Sequence, residues 1–228
     1  LFAVSGFAAL IYQIVWQRLL FLSYGVNIES VTIIVSIFMF GLGVGSIAGG
    51  ILSRKFPEFL PHLFVACEAA IGIFGLVSLK VLQVVTEATL QSSLLGVSMA
   101  TYGILFIPTL FMGATLPVLV SHLYNYYENV GESVSLLYFV NTIGSAVAGF
   151  LTVQALFHFV GLSASILLAA GCNFAVGYFG FRYIKAGMSY NQALEENRQR
   201  AGAAEPAFTP RRGRYVLVLA LSGFIGFV

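Results

Sequence analysis

The chain has 228 residues, of which 59% are hydrophobic and only 9% charged, with a formal net charge of +2 and a mean hydropathy of +0.93. A water-soluble domain carries about a quarter charged residues to keep its surface hydrated, so this composition excludes that class and points to an all-α integral membrane protein. The sequence contains no aspartate, and its three histidines, His62, His122 and His158, have no carboxylate or cysteine at ligand spacing, so no catalytic residue, metal or cofactor is expected.

Taking about 20 residues as the length that crosses the hydrocarbon, spans fall near 2–24, 30–52, 60–82, 99–121, 133–157 and 162–184. A seventh begins near 215. It repeats the start of the chain: Ala3-Val4-Ser5-Gly6-Phe7 returns as Ala220-Leu221-Ser222-Gly223-Phe224. The expected organisation is therefore a six-helix membrane bundle over 1–185, a cytoplasmic linker over 186–213, and the start of a second membrane half over 214–228. No signal peptide is expected, because the first run lacks a basic flank and a small-residue cleavage site.

The first span carries Tyr12, Gln13, Trp16, Gln17 and Arg18, the densest polar cluster of any span. Tyr12 and Trp16 share one helical face, and Gln13 and Gln17 the next. Arg18 either anchors the helix by reaching outward or contacts a ligand. Glu29 lies on the same side, within reach of Arg18 across the 24–29 turn.

The second span places Gly41, Gly45 and Gly49 at four-residue intervals, a groove for close helix approach. The fifth carries a shorter version in Gly144 to Gly149. These are the second helices of two consecutive triplets, the pattern of an internal inverted repeat.

Glu68 sits about eight residues into the third span, where an ionisable group needs a polar partner from the bundle, and it is expected to face inward near Gln13. Residues 83–98 suit a surface helix or a loop. The fourth span ends between Pro108 and Pro117, each of which removes an intrahelical hydrogen bond, so it should bend or open locally. Freed carbonyls there either bind substrate or are satisfied by neighbouring hydroxyls. Residues 122–132 form a Tyr-rich polar link. Asn141, Gln154 and Asn173 complete a polar interior or bridge helices. Cys67 and Cys172 lie within apolar runs and read as small buried hydrophobes.

Arg182, Lys185, Arg198, Arg200, Arg211, Arg212 and Arg214 make seven of the 11 basic residues, and Arg54 and Lys55 fall on the same side when six spans are threaded. That side is expected to be cytoplasmic, with the N-terminus, in a plasma membrane such as the bacterial inner membrane. No basic groove with stacking aromatics suits nucleic acid. The GLGVGS of 41–46 lies inside a membrane helix and is not a phosphate loop.

Four stretches carry a resemblance: Ser5-Gly6 with Tyr12-Gln13-Ile14-Val15-Trp16-Gln17-Arg18-Leu19-Leu20; Phe38-Met39-Phe40-Gly41-Leu42-Gly43-Val44-Gly45-Ser46; Phe111-Met112-Gly113-Ala114-Thr115-Leu116-Pro117; and Leu137-Tyr138-Phe139-Val140-Asn141-Thr142-Ile143-Gly144. The chain resembles the membrane domain of proteins in which a major-facilitator-like region is fused to a spermidine-synthase-like one. The residue after the first tyrosine is commonly glutamate in that family; here it is Gln13. The resemblance implies a six-helix half of a major-facilitator-like fold plus the start of a seventh helix. It also implies a second membrane half and an aminopropyltransferase-like domain beyond Val228.

Two functions follow as expectations. One is a membrane scaffold or anchor, holding such a domain or packing against other membrane subunits. The other is a transporter-like module for a small cationic metabolite such as a polyamine, with Tyr12, Gln13, Trp16, Arg18, Glu68 and Asn141 as the candidate binding set. Expected partners are the lipid bilayer, the second half of the same chain and other membrane subunits.

Overall fold

A computed structural model describes residues 1–24, 27–89, 91–127 and 130–200. Helices α1 (Phe2–Tyr24), α2 (Asn27–Lys55), α3 (Leu60–Thr89), α4 (Leu94–Tyr127), α5 (Val130–Leu151) and α6 (Gly161–Arg200) account for nearly all of them. A 3-10 turn at Pro57–Phe59 leads into α3, and π-helical turns at Thr152–Val160 lead into α6. There is no strand among the described residues. Apolar chains of this length in lipid must satisfy their backbone internally, and helices do so within each segment. The seventh span and the linker beyond residue 200 lie outside the described residues, as does the side chain of Glu29.

Five helical stretches are long and apolar enough to cross a membrane: Phe2–Leu22, Val31–Lys55, Pro57–Thr89, Leu95–Leu123 and Val130–Gly187. The last has 58 residues, nearly three times the roughly 20 a bilayer needs, and it does not run straight. Gly161 adopts φ 81 and ψ 175, a region essentially closed to side chains, and its N–H donates to the Leu156 carbonyl, five residues back. The chain reverses there.

Contacts fix the direction of each pass. Ser5 meets Glu68 and Trp16 meets Ser78, so α1 and α3 run parallel. Ala3 faces Gly144 and Leu10 faces Gly149, so α5 runs with them. Phe64 meets Gly180 and Glu68 meets Gly177, so α6 runs against α3. Gly41 faces Thr109 and Gly49 faces Ala114, so α2 and α4 are parallel to each other.

The main helix pairs are α2 with α4, α1 with α5, and α3 with α6, followed by α3 with α4 and α1 with α6. Exchanging the first three helices for the last three maps this set onto itself. The repeat suggested by the glycines of α2 and α5 is thus matched in how the helices pair.

Both glycine runs seat backbone on backbone. A Cβ added to Gly49 would lie 2.7 Å from Ala114 Cα, and one added to Gly144 would lie 2.9 Å from Ala3 Cα. Small residues permit such approach where lipid supplies no hydrophobic drive for association.

Two connections differ from the sequence reading. Residues 83–98 are neither a separate surface helix nor a long loop, because α3 continues to Thr89 and α4 starts at Leu94. Leu82 and Thr86 stay buried and carry the packed face of α3 outward. At the other end, α4 runs on through residues 122–127.

The expected opening of α4 also does not occur: the helix is continuous through Pro108 and Pro117. Pro117 cannot donate to the Gly113 carbonyl, and Ser46 of α2 does so instead at 3.2 Å. Thr109 and Thr115 hydroxyls donate to the carbonyls of Leu105 and Met112 at 2.9 and 2.8 Å. The Gly113 carbonyl, which Pro117 frees, is therefore occupied by a hydroxyl.

Candidate functional site

A cavity of about 840 Å³, counted out to its open mouth, lies between the helices. Phe2, Ser5, Ala9 and Gln13 recur at three- and four-residue steps along one face of α1 and line it. Tyr138, Asn141 and Ser145 do the same on α5. Phe38, Leu42 and Ser46 of α2, Met112 and Thr115 of α4, Ile71 of α3 and Asn173 of α6 complete the wall. Its polar groups are hydroxyls and amides, and no charged side chain borders it among the described residues. Serines and amides at helical spacing are affordable at this depth only when they face protein or water.

Directly behind this wall is Glu68, fully buried. Ser5 Oγ donates to its Oε1 at 2.8 Å, and Asn173 Nδ2 donates to its Oε2 at 2.7 Å. Neither donor is cationic. The Asn173 Oδ1 atom is buried without a partner among the described residues.

The candidate binding residues separate into four groups. Gln13 and Asn141 reach the cavity. Tyr12 and Trp16 are fully buried on the neighbouring face of α1 and belong to the core. Their rings stack at 5.2 Å, Trp16 meets Phe74 edge-on at 5.6 Å, and its Nε1 donates to Ser78 Oγ at 3.0 Å. Arg18 is exposed, with its guanidinium 5.6 Å from the centre of the Phe21 ring, so it faces away from the cavity. Glu68 faces the interior, but its hydrogen-bond partners are Ser5 and Asn173; Gln13 lies about two turns along α1 from Ser5.

Ser5 and Asn173 are the polar groups the sequence reading underweighted. Ser5 occupies the cavity face of α1 together with Gln13, at a spacing of two helical turns, and this periodicity is the available signal. Asn173 has no such companion on α6, and only the packing of α6 on α3 pairs it with Glu68.

Cys67 and Cys172 are both free. Among the described residues no group of three or more His, Cys, Asp or Glu side chains could hold a metal ion. Two basic pairs lie at one end of the bundle: Arg54 and Lys55 close α2, while α6 brings Arg182 and Lys185 to the same end just past the contact of Gly180 with Phe64. No family model, curated protein or solved structure matches the chain.

Proposed function

We propose that this chain is a solute-binding half of a transporter-like membrane protein, holding a small polar solute in the cavity between its helices. The observation that carries this reading is the convergence of uncharged hydrogen-bonding groups from several helices on one cavity inside an otherwise apolar bundle. The fold-back at Gly161 and the self-exchanging helix pairs support the finer reading as a major-facilitator-like six-helix half, which would rock against a second half around the site. The full-length protein in proteoliposomes should show saturable uptake of polyamines or related small amines under an imposed gradient. Uptake that never saturates, or none for these or for neutral polyols of similar size, would remove the transport reading.

A second reading, a scaffold for an attached spermidine-synthase-like domain or a subunit of a larger complex, draws support from the glycine seams, which favour packing over sliding. Native mass measurement in mild detergent separates the two. A stably associated partner supports the scaffold, and a partner-free particle with saturable uptake supports the transporter.

The clustering of Arg54, Lys55, Arg182 and Lys185 supports a cytoplasmic N-terminus, in a plasma membrane such as the bacterial inner membrane. In a background with Cys67 and Cys172 replaced by Ala, a membrane-impermeant thiol reagent should label Ser92→Cys in intact cells. Ala203→Cys, which falls outside the described residues, should resist it. The reverse pattern would invert the orientation.

A further inference from the structure

Two side chains stand between the Glu68 carboxylate and the cavity: Ser5 and Asn173, both of which border it. An ionised carboxylate only accepts hydrogen bonds, so each neighbour must spend donors on it. Ser5 gives its single hydroxyl proton to Oε1, and Asn173 gives one of its two amide N–H groups to Oε2. Ser5 Oγ is left with lone pairs alone. Asn173 is 1% exposed, and its carbonyl Oδ1, set by the planar amide on the other side from Nδ2, has no partner among the described residues.

A free serine or asparagine can turn either a donor or an acceptor toward a ligand, by rotation or by an amide flip. Glu68 removes that choice. It commits the Ser5 proton and one Asn173 N–H, leaving Ser5 Oγ and Asn173 Oδ1 as acceptors, and in its ionised form it places a negative charge one layer behind them, where the apolar surroundings screen little. No Lys, Arg or His borders the cavity to balance that charge among the described residues.

Resting on the solute-binding reading above, we propose that this wall selects a solute bearing an ammonium group, with Asn173 Oδ1 and Ser5 Oγ as its acceptors. An ammonium brings three donors and a positive charge; an alcohol brings one donor and no charge; an anion meets no cationic donor and an unfavourable field. Glu68 does not touch the solute. It is a positioning residue that orients the two acceptors and supplies the counter-charge through them.

The test uses the full-length protein in lipid nanodiscs and two solutes that differ in one group, 4-amino-1-butanol and 1,4-butanediol, with binding read by calorimetry at neutral pH. The amine should bind about ten- to a hundredfold more tightly, the range expected for a hydrogen bond to a charged group. Glu68→Gln introduces a side-chain amide that can donate to Asn173 and releases the Ser5 proton, so it should collapse the affinity for the amine toward that for the diol. Glu68→Asp should recover part of the preference. Should Glu68→Gln fail to yield folded protein, Ser5→Ala removes one acceptor, leaves the Glu68–Asn173 bond, and should reduce the preference several-fold.

Equal binding of the two solutes, or a preference that survives both Glu68→Gln and Ser5→Ala, overturns ammonium selection while leaving solute binding intact. Absence of binding by either solute at millimolar concentration overturns both readings.

Discussion

A Gly45→Leu variant is expected to fail to assemble the bundle. A side chain at this position meets the Leu110 carbonyl and lies 3.1 Å from Gly113 Cα, so the obstacle is the backbone of α4 rather than a side chain able to swing aside. Overpacking a close-fitted site costs about 1–3 kcal/mol when side chains adjust, and more where a helix axis must move. Separating α2 from α4 also removes the Ser46 hydrogen bond to the Gly113 carbonyl, which Pro117 leaves without its helical donor. Gly43, two residues away, has nothing within 4 Å of an added Cβ. Gly43→Ala should be neutral or stabilising by up to about 1 kcal/mol, through its helix preference. Size-exclusion profiles and thermal unfolding in one detergent would compare the two variants. A monodisperse Gly45→Leu protein with unchanged melting would show that the α2–α4 seam is not close-packed.

Asn173→Leu is the second large effect, with an expected loss of about 3 kcal/mol, because it strips a hydrogen-bond donor from a fully buried carboxyl group and leaves its Oε2 facing an apolar side chain. Removing the carboxyl group as well should be gentler. In Glu68→Leu/Asn173→Leu two apolar side chains of similar volume meet across α3 and α6, and the Ser5 hydroxyl can turn to a carbonyl of its own helix one turn back. The double variant should therefore be more stable than Asn173→Leu by about 1 kcal/mol or more, a coupling that thermal unfolding of the full cycle would measure. A double variant less stable than Asn173→Leu would mean that the buried carboxyl group is not what makes the single change costly.

The rough extent of the apolar runs and the break between residues 157 and 162 were legible in the sequence, since run length is a local property of composition, whereas the backbone turn of Gly161 within that break was not. Neither were helix ends. The residues of α3 beyond position 82 alternate apolar and polar groups, and only their continued packing, with Leu82 and Thr86 buried, keeps them helical to Thr89. The glycine faces of α2 and α5 were readable as close-approach surfaces, but their partners α4 and α1 were not, because spacing along one helix says nothing about which other helix meets it.

The same limit governs the site. Tyr12 and Trp16 are larger and rarer than Ser5 and drew attention for that reason, yet their size sends them into the core, and the smaller Ser5 is left beside the cavity. Arg18 falls on a face turned from both.

The pairing of α1 with α5 and of α2 with α4 has a consequence for how the bundle is made. No helix has its immediate successor as its main partner, and the bond from Ser145 to the Gly6 carbonyl spans 139 residues of sequence. A chain emerging from its N-terminus exposes the glycine face of α2 until α4 arrives, and leaves the Ala3 face of α1 open until the glycines of α5 arrive. Assembly therefore cannot proceed hairpin by hairpin: early helices wait in the bilayer with unfilled grooves, and closure of the bundle is a late, long-range event whose rate is set by topology.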